Sequence, residues 1–137
     1  MELFQMRYEA LYETYIDGLR QGCFDSLVGA AEYVARQPAP MFYITARSAS
    51  LLIALIEQRV SLTMYRLNQR RKIWTIYHLY RQWRAEHPDS TLSRERVLEL
   101  IVDEPAPSFF LTEECIRKNL QKMAPVIQDR AIRRLVR

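Results

Sequence analysis

From Leu3 to about Leu19, apolar side chains recur at three- and four-residue spacing through Leu3, Met6, Tyr8, Leu11, Tyr12, Tyr15, Ile16 and Leu19, which predicts an amphipathic helix. Gly18 and Gly22 fall near its end, where a left-handed cap is expected. Asp25-Ser26 is placed to cap a second helix with Leu27, Ala30, Ala31 and Val34 as its inner stripe. Pro38 and Pro40 end that helix, because the residue before each proline is pushed toward extended geometry. Phe42, Tyr43 and Ile44 are then expected to run extended and plug into a core, with Thr45 capping a third helix through Ala49, Leu52, Ile53 and Ile56. Residues 57–71 contain neither Gly nor Pro, so this helix is expected to continue well past Ile56.

The plan then repeats. Lys72 to about Ala85 places Ile73, Trp74, Ile76, Tyr77, Leu79, Tyr80 and Trp83 on a broad apolar face, and Pro88 stops the helix. Ser90 or Ser93 caps the next, which carries Val97, Leu98, Ile101 and Val102. Pro105 and Pro107 break it, Phe109 to Leu111 run extended, and Thr112 caps a helix with Glu113 and Glu114 in its first turn, where the helix dipole favours carboxylates. Pro125 ends or kinks that element, and a basic amphipathic tail follows.

The repetition is visible residue by residue. Pro38-Ala-Pro-Met-Phe-Tyr-Ile-Thr45 and Pro105-Ala-Pro-Ser-Phe-Phe-Leu-Thr112 share five of eight positions at an offset of 67 residues. Val34 and Ile101, then Ile53 and Leu120, match at the same offset; Leu11-Tyr12 with Tyr15 resembles Ile73-Trp74 with Tyr77 at an offset of 62. A duplicated unit is the simplest account. No strand periodicity competes. The expected fold is therefore all-α, a single compact helical domain over residues 1–137. It holds two tandem helix–PAPxF–helix units, about 3–58 and about 70–124, with pseudo-twofold internal symmetry, and a basic C-terminal helix over 125–137.

Composition agrees with a packed interior: 137 residues, 49% hydrophobic, with 15 aromatics and only three glycines, exclude a disordered or collagen-like chain and a Gly-rich phosphate cradle. The longest strictly apolar run, Leu51 to Ile56, is six residues, against the ~18 a membrane span needs, so no membrane is expected as a partner. Met1-Glu2-Leu3-Phe4-Gln5 has neither a basic start nor an apolar stretch, and no secretory leader is expected. Two cysteines make no disulfide framework, so a reducing cytosolic setting is expected.

Little in the chain suits catalysis. The only histidines are His78, read as a partly buried packing residue of an aromatic helix, and His87, read as a surface residue before Pro88. Cys23 and Cys115 read as small buried side chains. Neither a nucleophile–base–orienter set nor zinc-ligand spacing is apparent, so no enzyme, metal or cofactor is expected. The Pro-Ala-Pro segments read as rigid connectors setting the angle between helices, rather than as ligands for proline-binding domains.

Charge carries more information. Residues 116–137 hold seven cations against Asp129 alone, and 66–84 hold Arg66, Arg70, Arg71, Lys72, Arg81 and Arg84 with no acid. Clustered cations attract polyanions. A capped helix, a fixed turn and a second helix also resemble a helix-turn-helix in outline, with Arg47 in the N-terminal turn of the second helix, although the eight-residue turn is long for that motif.

The two Pro-Ala-Pro-x-Phe-aromatic segments, Pro38 to Thr45 and Pro105 to Thr112, with helices around them, resemble those of small uncharacterised helical proteins encoded by bacteriophages and integrated elements of gut bacteria. The resemblance implies a mobile-element origin and brings no catalytic residues with it.

Two functional expectations follow. The first is a non-enzymatic nucleic-acid-binding accessory protein, with DNA favoured over RNA. Its phosphate contacts would come from Arg47, Arg66, Arg70, Arg71, Lys72, Arg117, Lys118, Lys122, Arg130, Arg133, Arg134 and Arg137. The second is an interaction or assembly module, in which the aromatic helix 72–85 docks on a protein partner or a second copy through Trp74, Tyr80 or Trp83.

Overall fold

Why each helix starts and stops where it does is largely a matter of capping, and the computed structural model, which describes residues 2–122, shows the caps directly. The chain is all-helical, and no strand occurs among the described residues. Helix α1 spans Leu3–Arg20, α2 Leu27–Ala35, α3 Ala46–Glu57, α4 Leu67–Glu86 and α5 Arg94–Val102. A sixth helix, α6, begins at residue 113 and its described part reaches 122.

Four hydroxyls cap as their positions predict. Ser26 accepts from the Gly29 amide at 3.0 Å, Thr45 from Ser48 at 3.1 Å, Ser93 from Arg96 at 3.3 Å and Thr112 from Cys115 at 3.0 Å. Each satisfies one of the amides a helix start leaves unbonded. At the end of α1 the Gly22 amide donates to Leu19 O and the Cys23 amide to Gly18 O, with Gly22 at φ 68°. That is a Schellman closure, and glycine adopts its left-handed residue without steric cost.

Three expectations need correction. Helix α3 does not run past Ile56 through the Gly-free segment; it stops at Glu57. Arg59 takes φ 60°, its amide donating to Ile56 O and that of Val60 to Leu55 O, so the same closure forms without glycine. Helix α4 starts at Leu67, five residues before Lys72, because Leu, Gln and Arg are good helix formers that extend the helix beyond its apolar stripe. The segments after Pro40 and Pro107 are not simply extended: Tyr43 and Phe110 both sit at φ 54°. A left-handed aromatic costs about 1–2 kcal/mol, and here each follows a buried phenylalanine, Phe42 at 1% exposure and Phe109 at 3%.

The chain forms two compact units. One comprises residues up to Ala39 together with those from Pro107 onward; the other runs from Pro40 to Ala106. The chain thus changes unit at the same point of both connectors, after the alanine of Pro-Ala-Pro, and Ala39 and Ala106 are both buried. Helix α3 is grouped with α4 and α5, and α6 with α1 and α2, so neither unit coincides with one sequence repeat.

In the unit from Pro40 to Ala106, α3, α4 and α5 pack on one another. Ala49, Ile53 and Ile56 of α3, Ile73 and Ile76 of α4, and Val97, Leu98 and Ile101 of α5 are buried there. The Phe42 amide donates to Val102 O at 3.0 Å, and Arg94 pairs with Glu57 at 2.9 Å. In the other unit α1 packs on α2, and Tyr8 Oη donates to Asn119 Oδ1 of α6 at 3.0 Å. Leu11, Ile16, Ala30, Val34, Ile116 and Leu120 are buried. Gly18 lies against the Tyr33 and Phe24 rings, part of a Tyr15–Phe24–Tyr33 series with centroids 5.3 and 5.7 Å apart. None of the described helices is long and apolar enough to cross a membrane.

Candidate nucleic-acid interface

Helix α4 buries only Ile73 and Ile76 completely, and its other faces carry the chemistry. It opens against electrostatic preference. Arg66 is its N-cap residue without a side-chain cap, no acid stands in its first turn, and Arg70, Arg71 and Lys72 follow at once. Cations near the positive end of a helix dipole each cost roughly 0.3–1 kcal/mol where a carboxylate would stabilise. The first acid of the helix is Glu86, its last residue.

Three- and four-residue steps from Arg71 lead to Trp74, His78 and Arg81, all exposed, so they form one row on the solvent face. Trp74 is 43% exposed, with Tyr77 meeting it edge-on at 5.8 Å and His78 tilted at 6.0 Å. The Arg81 guanidinium lies 5.8 Å from the centre of the half-buried Tyr77 ring. At that exposure roughly 100 Å² of Trp74 is left in water, a burial on the order of 2 kcal/mol forgone. Two arginines thus flank two aromatic rings along the row.

The other aromatics and arginine of the helix are engaged locally. Trp83 stacks on His87 at 4.1 Å with planes 14° apart, so one indole face is covered. Arg84 donates to Leu92 O at 2.7 Å and to Tyr80 Oη at 3.1 Å, which makes it a tether between α4 and the α5 approach rather than a free cation.

The twelve cations expected to contact phosphate are divided between the two units, and four of them lie outside the described residues. Arg47, exposed in the first turn of α3, belongs with Arg66, Arg70, Arg71 and Lys72 to the unit from Pro40 to Ala106. Arg117, Lys118 and Lys122 belong to the other unit, and Lys118 is paired with Glu114 at 3.2 Å. Arg130, Arg133, Arg134 and Arg137 lie outside the described residues. Among the described residues, Arg47, Arg66, Arg70, Arg71 and Arg81 form no ion pair, and the Arg70 Nε is buried without a hydrogen-bond partner. The helices expected to form a helix-turn-helix, α2 and α3, fall in different units.

Two further readings are corrected. His78 is exposed, not partly buried, because it lies on the solvent row of α4 while Ile73 and Ile76 take the inner face. Cys23 is also exposed, since it follows the left-handed Gly22 and its thiol faces Gln21 Oε1 at 3.9 Å; Cys115 is half-buried. The contribution of Trp74, His78 and Arg81 to the same face as Arg71 went unread in the sequence, although their three- and four-residue spacing carries it.

None of the family models, curated proteins or solved structures compared with the chain matches it significantly.

The site therefore rests on its own geometry. No group of three or more His, Cys, Asp or Glu side chains among the described residues is arranged to hold a metal ion. A groove of about 330 Å³ lined by Leu79, Trp83, Glu86, Ile101, Glu104 and Pro105 is open and acidic, the opposite of the α4 row in charge.

Proposed function

We propose that the chain is a non-enzymatic nucleic-acid-binding protein, of the accessory kind that a phage or mobile element carries, and that α4 is its principal contact surface. The observation that carries this reading is a solvent face of α4 on which Arg71, Trp74, His78 and Arg81 succeed one another, with no acid in the helix before Glu86. Arg66, Arg70 and Lys72 at the helix start and Arg47 on α3 add positive charge in the same unit. A polyanion would offset the repulsion among these cations and with the helix dipole, and release of its counterions would drive association.

Fluorescence anisotropy of labelled oligonucleotides across a salt series tests the proposal. The expected result is binding at low salt that weakens steeply as salt rises. An Arg66/Arg70/Arg71→Ala variant should lower the slope of log affinity against log salt by about 0.7–0.9 for each phosphate that is no longer neutralised. No binding at low salt, with a dimer seen by light scattering, would instead favour an assembly role for the exposed Trp74.

A further inference from the structure

Resting on that reading, we infer that the nucleic acid recognised by α4 is an unpaired strand, with a base stacked on Trp74 and the flanking phosphates held by Arg70 and Arg71 on one side and Arg81 on the other. Trp74 stands four residues after Arg70, three after Arg71 and seven before Arg81, so the three cations bracket the indole along one stretch of helix. Arg71 to Arg81 is ten residues, about 15 Å of helix, long enough to follow several phosphates of a single strand.

A duplex is a poor match. Its bases are already stacked on one another and offer an exposed indole no π-face, and readout of base edges in the major groove calls for Arg, Asn or Gln where α4 places Trp74. An unpaired base does offer its face, and stacking tolerates any sequence. The indole is available for this: Tyr77 meets it edge-on and His78 lies tilted at 6.0 Å, leaving 43% exposed. Trp83 differs because His87 already stacks on it. Charge complementarity selects a polyanionic occupant, since an apolar partner would leave the bracketing arginines without counter-charge.

The test uses the full chain carrying Trp83→Phe, so that Trp74 is the only indole. It is titrated with oligothymidylate, oligouridylate and a mixed-sequence duplex, each of about 12 nucleotides or base pairs. Single strands should quench Trp74 emission and bind more tightly than the duplex. Quenching by the thymidylate alone, the uridylate alone or both would assign DNA, RNA or either as the source of the strand. Read by anisotropy of labelled strands, because these variants contain no indole, Trp74→Ala should weaken single-strand binding by roughly 5- to 150-fold with the duplex unaffected, and Trp74→Phe should retain most of the affinity. Trp74 is exposed, so the variants should keep the parent's circular dichroism and melting temperature. Duplex binding as tight as single-strand binding, or single-strand affinity unchanged in Trp74→Ala while Arg70/Arg71→Ala weakens it, would overturn the stacking proposal yet leave nucleic-acid binding standing. Absence of binding to all three at low salt would overturn both.

Discussion

Replacing Gly18 by alanine sets two effects of opposite sign against each other. In a helix interior alanine is favoured over glycine by about 1 kcal/mol, so propensity alone predicts that Gly18→Ala stabilises α1. Packing predicts the reverse. A Cβ at position 18 would stand 2.8 Å from Phe24 Cε1 and against two atoms of the Tyr33 ring. Carbon atoms prefer separations of about 3.5–4.0 Å, so the rings must retreat by roughly 1 Å. Tyr15, Phe24 and Tyr33 form a continuous series, and displacing Phe24 disturbs both neighbours. Overpacking of this kind costs about 1–3 kcal/mol, which leaves a net loss of about 1 kcal/mol after the propensity gain. For a chain of this length the melting temperature should fall by about 3–5 °C. Thermal unfolding followed by circular dichroism reads the change, and a Tyr33→Ala background isolates its cause. There the penalty should shrink without vanishing, because the Tyr33 ring that the methyl meets has gone while the Phe24 ring remains. A higher melting temperature for Gly18→Ala in the parent chain would refute the packing argument.

Arg59→Gly should stabilise the chain by about 1 kcal/mol, because Arg59 holds φ 60° in the closure of α3 and glycine adopts that conformation freely; a urea-midpoint increase at unchanged slope would verify it. Burial raises the pKa of both Tyr15 and Tyr33 above the usual phenol value, Cys23 and Asp17 adding to the effect at Tyr33. The folded chain therefore keeps these protons to higher pH than the unfolded chain, whose tyrosines ionise near pH 10. Their stabilisation is complete below that pH and is lost as pH rises through the folded values, so melting temperatures across this alkaline range should fall, and less so in a Tyr33→Phe variant.

What was legible in the sequence was local. Ser26, Thr45, Ser93 and Thr112 mark helix starts because a hydroxyl bonds an amide three residues on, a relation contained in the chain itself. Gly22 marks an end for the same reason, whereas Arg59 hid one, since a left-handed arginine leaves no compositional sign. Apolar spacing identified Ile53, Ile76 and Val97 as interior, the Pro-Ala-Pro segments did so for Phe42 and Phe109, and all are buried. The basic segment of α4 was equally plain, but its division of labour was not. Arg84 and Trp83 look equivalent to Arg81 and Trp74 until Leu92 O and His87 engage them. Periodicity also left open which helices share a core: α3 joins α4 and α5 although it follows α2 in the chain. Local hydrogen bonding and amphipathic period determined the elements and their caps. Only the tertiary structure decided which surfaces were covered, because burial depends on partners distant in the chain and no short window of residues encodes them.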